Sequence, residues 1–263
     1  LRIGVLQGGD SLERGVSLRS AAQIELALVR LGHIAVPIEP GPDLVELLRK
    51  ERPELAFVAL RGGGEDGTVQ ELLEILDIPY TGSPAGVCGR CMDRILAKHE
   101  LREAGVPTPD WFALAETAFR ELGAADALGE LEHRLGFPLA VKPSHGGSAL
   151  GTEVAKSWFD VPAALISAFD FDERVLLERF VPGPALTVRL LDGEILGGVE
   201  AAAGDAAAAA YRVLGCAGFV EVAIILGENG PQVLEVDPAP TVTDAGPLSI
   251  DDLVAKILAL ATR

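Results

Sequence analysis

Aromatic side chains are scarce in this 263-residue chain: nine Phe, two Trp and two Tyr amount to 5% of it. A groove that stacks bases needs such rings, so the composition argues against a single-stranded nucleic-acid platform. Positive charge is also short. Lys and Arg number 22 against 39 Asp and Glu, a formal net charge of −17, and a field of that sign repels nucleic acid and anionic membrane surfaces alike. No stretch approaches the run of about 18 apolar residues that a membrane-spanning helix needs. Three cysteines cannot all pair, which points to a reducing, cytoplasmic compartment. The opening LRIGVLQGGD reads as a strand and a glycine turn, not as a signal peptide. What is present is globular: 49% hydrophobic and 23% charged residues, in a chain long enough to bury a core without disulfides or metal. Glycine is abundant, at 30 residues, so tight turns are expected.

The first third alternates short apolar runs with helical periods. Strands are predicted at 2–6, 34–38 and 55–60, and helices at 18–31, 44–49 and 69–76. This β-α-β-α-β rhythm implies a parallel sheet with right-handed crossovers. Gly8-Gly9 and Gly62-Gly63-Gly64 both follow strand ends, where ligands of such sheets sit, so both are expected to border one cleft. Downstream the rhythm changes. A helix is predicted at 92–104, then a rigid Val106-Pro107-Thr108-Pro109 linker, strands at 137–142 and 175–180, and a hairpin of 187–191 with 194–196 around Asp192-Gly193. An Ala-rich helix at 206–214, strands at 219–226 and 232–236, and a closing helix at 253–260 complete the pattern.

Three segments can carry chemistry. Lys142 ends a strand and enters Pro143-Ser144-His145-Gly146-Gly147-Ser148, an ammonium beside backbone N–H groups free to wrap phosphate oxygens; an ordinary Gly-rich loop reads the same way. His145 is the one histidine placed to touch a phosphate. Glu235 and Asp237, at spacing two on a strand, share a face and can share Mg²⁺, or are merely an acidic strand end. Leu176–Val181 turns from apolar to polar before Pro182-Gly183 and can line an adenine slot, although such a segment is more often simply a strand. Cys88-x-x-Cys91 lacks a second cysteine pair to complete a zinc site.

Taken in order, GVLQGGDSLERGVSL (4–18), GGGEDGTVQELLEILDIPYTG (62–82), CMDRILAKHELREAGVPTP (91–109), GFPLAVKPSHGGSALG (136–151), LLERFVPGPALTV (176–188) and VLEVDPAPTVT (233–243) resemble the D-alanine–D-alanine ligase family of the ATP-grasp superfamily. The resemblance implies α/β and α+β architecture: a Rossmann-like domain over 1–88, a central ATP-grasp subdomain over 89–173 and a C-terminal one over 174–263. It implies an ATP-dependent ligase that makes a dipeptide for peptidoglycan through an acyl phosphate, with Mg²⁺ (or Mn²⁺ in its place), D-alanine or a relative as substrate, and a homodimer. By position, Glu13 supported by Ser148 would hold the first amino acid. Arg94 and Lys142 would contact ATP phosphates, Glu178 and Val181 would border the adenine, and Glu235 with Asp237 would bind the metal.

The resemblance also departs from the family pattern. The loop at Leu60-Arg61-Gly62 lacks the family's His, Arg94 stands for a Lys, and Ala185 for a ribose-binding Glu. Glu221 stands where the family has the Arg of the tetrahedral intermediate, Ala223 where it has an Asp metal ligand, Asp237 for an Asn and Thr241 for a Gly. A long lid is missing around Ala201–Asp205. These changes leave three outcomes open: a ligase on an altered substrate, a nucleotide-binding relative that does not ligate, or a scaffold without activity.

Overall fold

The protein is described by a computed structural model over residues 1–146, 149–242 and 247–262. Strands β1 (Arg2–Leu6), β2 (Ile34–Ile38) and β3 (Leu55–Val58) form a parallel sheet in the order β2–β1–β3. Helices α1 (Arg14–Arg30) and α2 (Leu44–Glu51) make the crossovers. Ile3, Val5, Ile24 and Leu28 pack with Phe57 in its core, as the apolar periods require. Helix α1 begins at Arg14, earlier than the predicted 18, and the Glu13 carbonyl accepts from the Val16 and Ser17 N–H groups of its first turn. Ser17 of α1 ties the strand ends together: its hydroxyl accepts from the Gly8 N–H at 2.9 Å and donates to the Ala59 carbonyl at 2.6 Å.

Beyond β3 come α3 (Thr68–Ile75), α4 (Ala85–Met92) and α5 (Arg94–Glu103). The single helix predicted at 92–104 therefore starts two residues later, and a second helix abuts it. Asp93 is the break: in extended backbone, its carboxylate accepts from the Ile95 and Leu96 N–H groups, an N-cap.

The second sheet is antiparallel, in the order β4–β7–β5–β6. It comprises β4 (Trp111–Ala115), β5 (Leu139–Pro143), β6 (Glu153–Ala155) and β7 (Arg174–Arg179). Short helices α6 (Glu116–Glu121), α7 (Ala124–Ala127) and α8 (Gly129–Leu135) precede β5, and α9 (Val161–Phe169) covers the sheet. The expected boundary between residues 173 and 174 falls just before β7, which pairs with both β4 and β5.

The third sheet runs β11–β10–β8–β9, from β8 (Ala185–Leu191), β9 (Glu194–Leu196), β10 (Phe219–Gly227) and β11 (Gly230–Asp237). Helix α10 (Ala201–Leu214) packs on it, burying Ala203, Ala207 and Ala210 against Val220 and Val222. Residues 201–205, expected as a spacer, are the first turns of this helix. Strand β9 reaches α10 through residues 197–200 alone, so no lid stands at this point. Helix α11 (Ile250–Ala261) returns to α1, with Leu253 and Ile257 in the core of the first sheet and Asp251 paired to Arg30.

Candidate active site

Lysine and glutamate rarely leave water unless paired, yet three such side chains are buried together between the second and third sheets. Glu178 on β7 sits diagonally from Lys142 on β5, since Ala140 is its direct partner in the register. Its carboxylate lies 2.8 Å from the Lys142 ammonium and 2.5 Å from that of Lys98 on α5. The side chains of Lys98 and Glu178 are 2% and 3% exposed. Burial works to raise the Glu178 carboxyl, but the two ammonium groups outweigh it and hold it below the usual carboxylate range. Burial lowers Lys98 below the usual lysine range. Lys98 also donates to Thr108 Oγ1 at 2.6 Å.

Beside this triad, the β10–β11 register places Glu221 opposite Asp237 and Ala223 opposite Glu235. Two carboxylates facing each other across a ladder repel, and each is compensated from its outer side. Arg189 on β8 donates to Glu221 at 2.8 Å, and Arg61, arriving from the loop after β3, donates to Asp237 at 2.7 Å and to the Ala239 carbonyl at 3.1 Å. Arg94 donates to Glu235 and to the Pro143 carbonyl, both at 2.9 Å. Lys142 stands 3.8 Å from Glu235.

Arg61 brings in one more acid, Glu65, at 3.3 Å. Burial raises the Glu65 carboxyl to about 7, against the attraction of Arg61. An acid whose folded value exceeds its unfolded one of 4.5 takes up a proton on folding. Its stabilising contribution is complete below pH 4.5 and is lost as the pH rises through about 7. Glu65→Gln removes that dependence. Urea unfolding of both proteins between pH 5 and 8 checks it: the wild type loses up to about 3 kcal/mol that the variant keeps, and parallel curves would refute the assignment.

On the other side of Pro143 opens a cleft of about 510 Å³, lined by residues 10–13 and 62–66 on one wall and by Pro143, His145, Gly146 and Phe171 on the other. Of the two glycine segments expected at one cleft, Gly62–Gly64 line it; Gly8-Gly9 stop short and hand the chain to Asp10–Glu13. Glu13 is half-buried there. Ser11 Oγ accepts from the Glu13 N–H at 3.2 Å and donates to the Arg61 carbonyl at 2.8 Å. Gly62, at φ +72°, has no room for a β-carbon, which would meet Ser11 Oγ at 2.7 Å and Glu13 Oε2 at 3.1 Å. His145, expected near a phosphate, contacts Asp172 at 2.9 Å. Beside Arg94 and Lys98 a narrower void of about 30 Å³ lies against Glu235 and Asp237, room for little more than one water.

Glu13, Arg94, Lys142, Glu178, Glu235 and Asp237 thus lie around one seam and its adjoining cleft. Val181 lies on the connector from β7 to β8, close enough to Gly227 that a β-carbon on that glycine would meet its Cγ1 at 2.7 Å. Ser148 lies outside the described residues. Cys88 and Cys91 are buried on α4, where burial pushes the Cys88 thiol up to about 12, so neither is a ready thiolate. Lys98, Arg61, Glu65 and Arg189 are the members that the sequence reading did not single out. Lys98 was within reach of it, four residues after Arg94 and so on the same helix face.

A parallel N-terminal sheet followed by two antiparallel sheets, with buried lysines and carboxylates at their junction, is the ATP-grasp architecture. Residues 101–203 match the family model described as D-ala D-ala ligase C-terminus. A D-alanine–D-alanine ligase from Desulforudis audaxviator is 36% identical over 306 aligned residues, covering 99% of this chain and 98% of the relative. That alignment is longer than the chain itself, so the relative carries segments absent here. Among solved structures, the D-alanine–D-alanine ligase of Bacillus anthracis superposes with a TM-score of 0.89 at 29% identity, covering 100% of this chain and 98% of that one. The same enzyme complexed with ATP gives 0.85 at 29% identity, with the same coverage. The chain belongs to the D-alanine–D-alanine ligase family, whose members are ATP-grasp ligases.

A divalent ion, implied by the family resemblance, needs carboxylate oxygens open to it. Glu235 and Asp237 each already hold a guanidinium group, Ala223 offers no side-chain oxygen, and no cluster of three or more potential metal ligands occurs among the described residues. The residues present do not fit the ion.

Proposed function

We propose that this chain is an ATP-dependent carboxylate–amine ligase acting on D-alanine or a close relative, with slow turnover. One observation carries the reading: the cleft bearing Glu13 adjoins the cations Arg94 and Lys142 through Pro143 and Gly146. Glu13 pairs with the ammonium of a small amino acid, with Ser148 in support, and leaves its carboxylate facing the cations. A carboxylate oxygen attacks the γ-phosphorus of ATP, the bond to the β-phosphate oxygen breaks, and ADP leaves. The amine of a second amino acid then attacks the acyl carbon and inorganic phosphate departs. Positioning and charge neutralisation by Lys142 and Arg94 supply most of the catalysis, with Glu178 and Val181 bordering the base.

Two features slow this reaction. Glu221 puts negative charge where the tetrahedral intermediate develops its own; lacking a donor there costs about 10²–10³ in rate. The short link from β9 to α10 leaves the acyl phosphate open to water. The Glu221–Arg189 pair favours a second reading, a nucleotide-binding relative that stops before ligation. Phosphate release from ATP separates the two. Release that requires D-alanine and is lost in Glu13→Gln supports the ligase; ATP binding without D-alanine-dependent release supports the relative.

A role in peptidoglycan precursor synthesis, a cytoplasmic location and a homodimer built through the N-terminal domain belong to the same reading. Three free cysteines fit a reducing compartment, and exposed Leu26, Val29 and Ile34 give that domain an apolar surface. No helix among the described residues is long and apolar enough to cross a membrane.

A further inference from the structure

We infer that Arg61 and Arg94 stand in for the divalent cation at Glu235 and Asp237, so that this chain holds a triphosphate with its own guanidinium groups and without metal. The triphosphate part rests on the functional reading above; the exclusion of metal does not.

Each carboxylate that would ligate an ion already holds a guanidinium, Glu235 through Oε1 with Arg94 at 2.9 Å and Asp237 through Oδ2 with Arg61 at 2.7 Å. Neither arginine is a passing surface partner. Arg94 is also fixed by the Pro143 carbonyl, Arg61 by the Ala239 carbonyl, and both are buried. An ion would have to expel two anchored charges or sit beside them; Ala223 opposite Glu235 brings no carboxylate, and Glu221 opposite Asp237 is itself held by Arg189 at 2.8 Å. Each guanidinium fixes a delocalised positive charge beside the carboxylate it pairs with, the charge an ion would otherwise bring to a phosphate at this seam. The local charge agrees. Arg61, Arg94, Lys98 and Lys142 face Glu65, Glu178, Glu235 and Asp237, and Arg189 pairs with Glu221, so the row is balanced without a metal, in a chain of net charge −17.

The test titrates the intact protein with Mn²⁺, followed by the electron paramagnetic resonance of the free ion, and with ATP by calorimetry in EDTA and in Mg²⁺. The wild type is expected to leave Mn²⁺ free up to about 1 mM, the weak end of protein cation sites. Arg61→Gln/Arg94→Gln, which frees both carboxylates, should bind it at least about tenfold more tightly. ATP should bind the wild type equally with and without Mg²⁺. Stoichiometric Mn²⁺ binding by the wild type that Glu235→Gln abolishes, or an ATP affinity raised about tenfold by Mg²⁺, overturns the inference. If the double variant does not fold, the wild-type titrations decide alone. If ATP binds in neither buffer, the functional reading fails, and the Mn²⁺ result still decides whether arginines exclude the metal.

Discussion

Glu178→Leu should destabilise the protein by about 3–5 kcal/mol, the usual cost of removing one partner from a buried ion pair. At a few degrees per kcal/mol for a chain of this size, that lowers the melting temperature by roughly 6–20 °C. Two ammonium groups lose their counter-charge at once. Lys142 retains Glu235 at 3.8 Å, but Lys98, with a side chain 2% exposed, keeps only the Thr108 hydroxyl as a direct partner among the described residues. The physical cause is checked by adding Lys98→Met. If stranded charge dominates, the double variant is more stable than Glu178→Leu alone, because replacing a whole buried pair by apolar side chains is nearly neutral. Additive losses in thermal or urea unfolding would instead make the glutamate's shape, not its charge, the important property.

The second large effect is a gain of activity. Glu221→Arg combined with Arg189→Gln should raise D-alanine-dependent phosphate release by about 10²-fold, the order of a transition-state donor. Glu221→Arg alone would put two guanidinium groups side by side, since Arg189 and Glu221 are direct partners in the register and 2.8 Å apart; neutralising residue 189 removes that clash. The new arginine would also face Asp237 across the β10–β11 pair, which anchors it. A rate unchanged in folded double variant would mean that something other than Glu221 limits the reaction.

The parts of the fold written in local periodicity were readable in advance. The parallel sheet of the first third follows from buried runs such as Ile3–Leu6, and the β8–β9 hairpin from Asp192-Gly193, where Asp192 takes φ 52° and Gly193 φ 80°. Strand β4 was not readable, because Trp111–Ala115 follows a proline-rich stretch and is recruited as an edge strand by β7, about sixty residues downstream. Nor was the start of α10, since its leading alanines and Gly204 resemble a loop until they pack on β10 and β11.

The site divides the same way. Lys142, Glu178, Glu235 and Asp237 lie in strands whose neighbours signal them. Arg61 and Arg189 look like ordinary surface arginines, and their roles come from partners 176 and 32 residues away. That long-range pairing also sets a guanidinium group on each of the two carboxylates at the acidic end of β11.

The most direct test of the account is a calorimetric titration of the intact protein with ATP, alongside Lys142→Met shown to be folded by circular dichroism. The account predicts saturable binding by the wild type and affinity at least about tenfold weaker in the variant, the loss expected when a charge-assisted phosphate contact goes. No heat with the wild type, or equal affinity in the two proteins, would contradict it and remove the nucleotide from this seam.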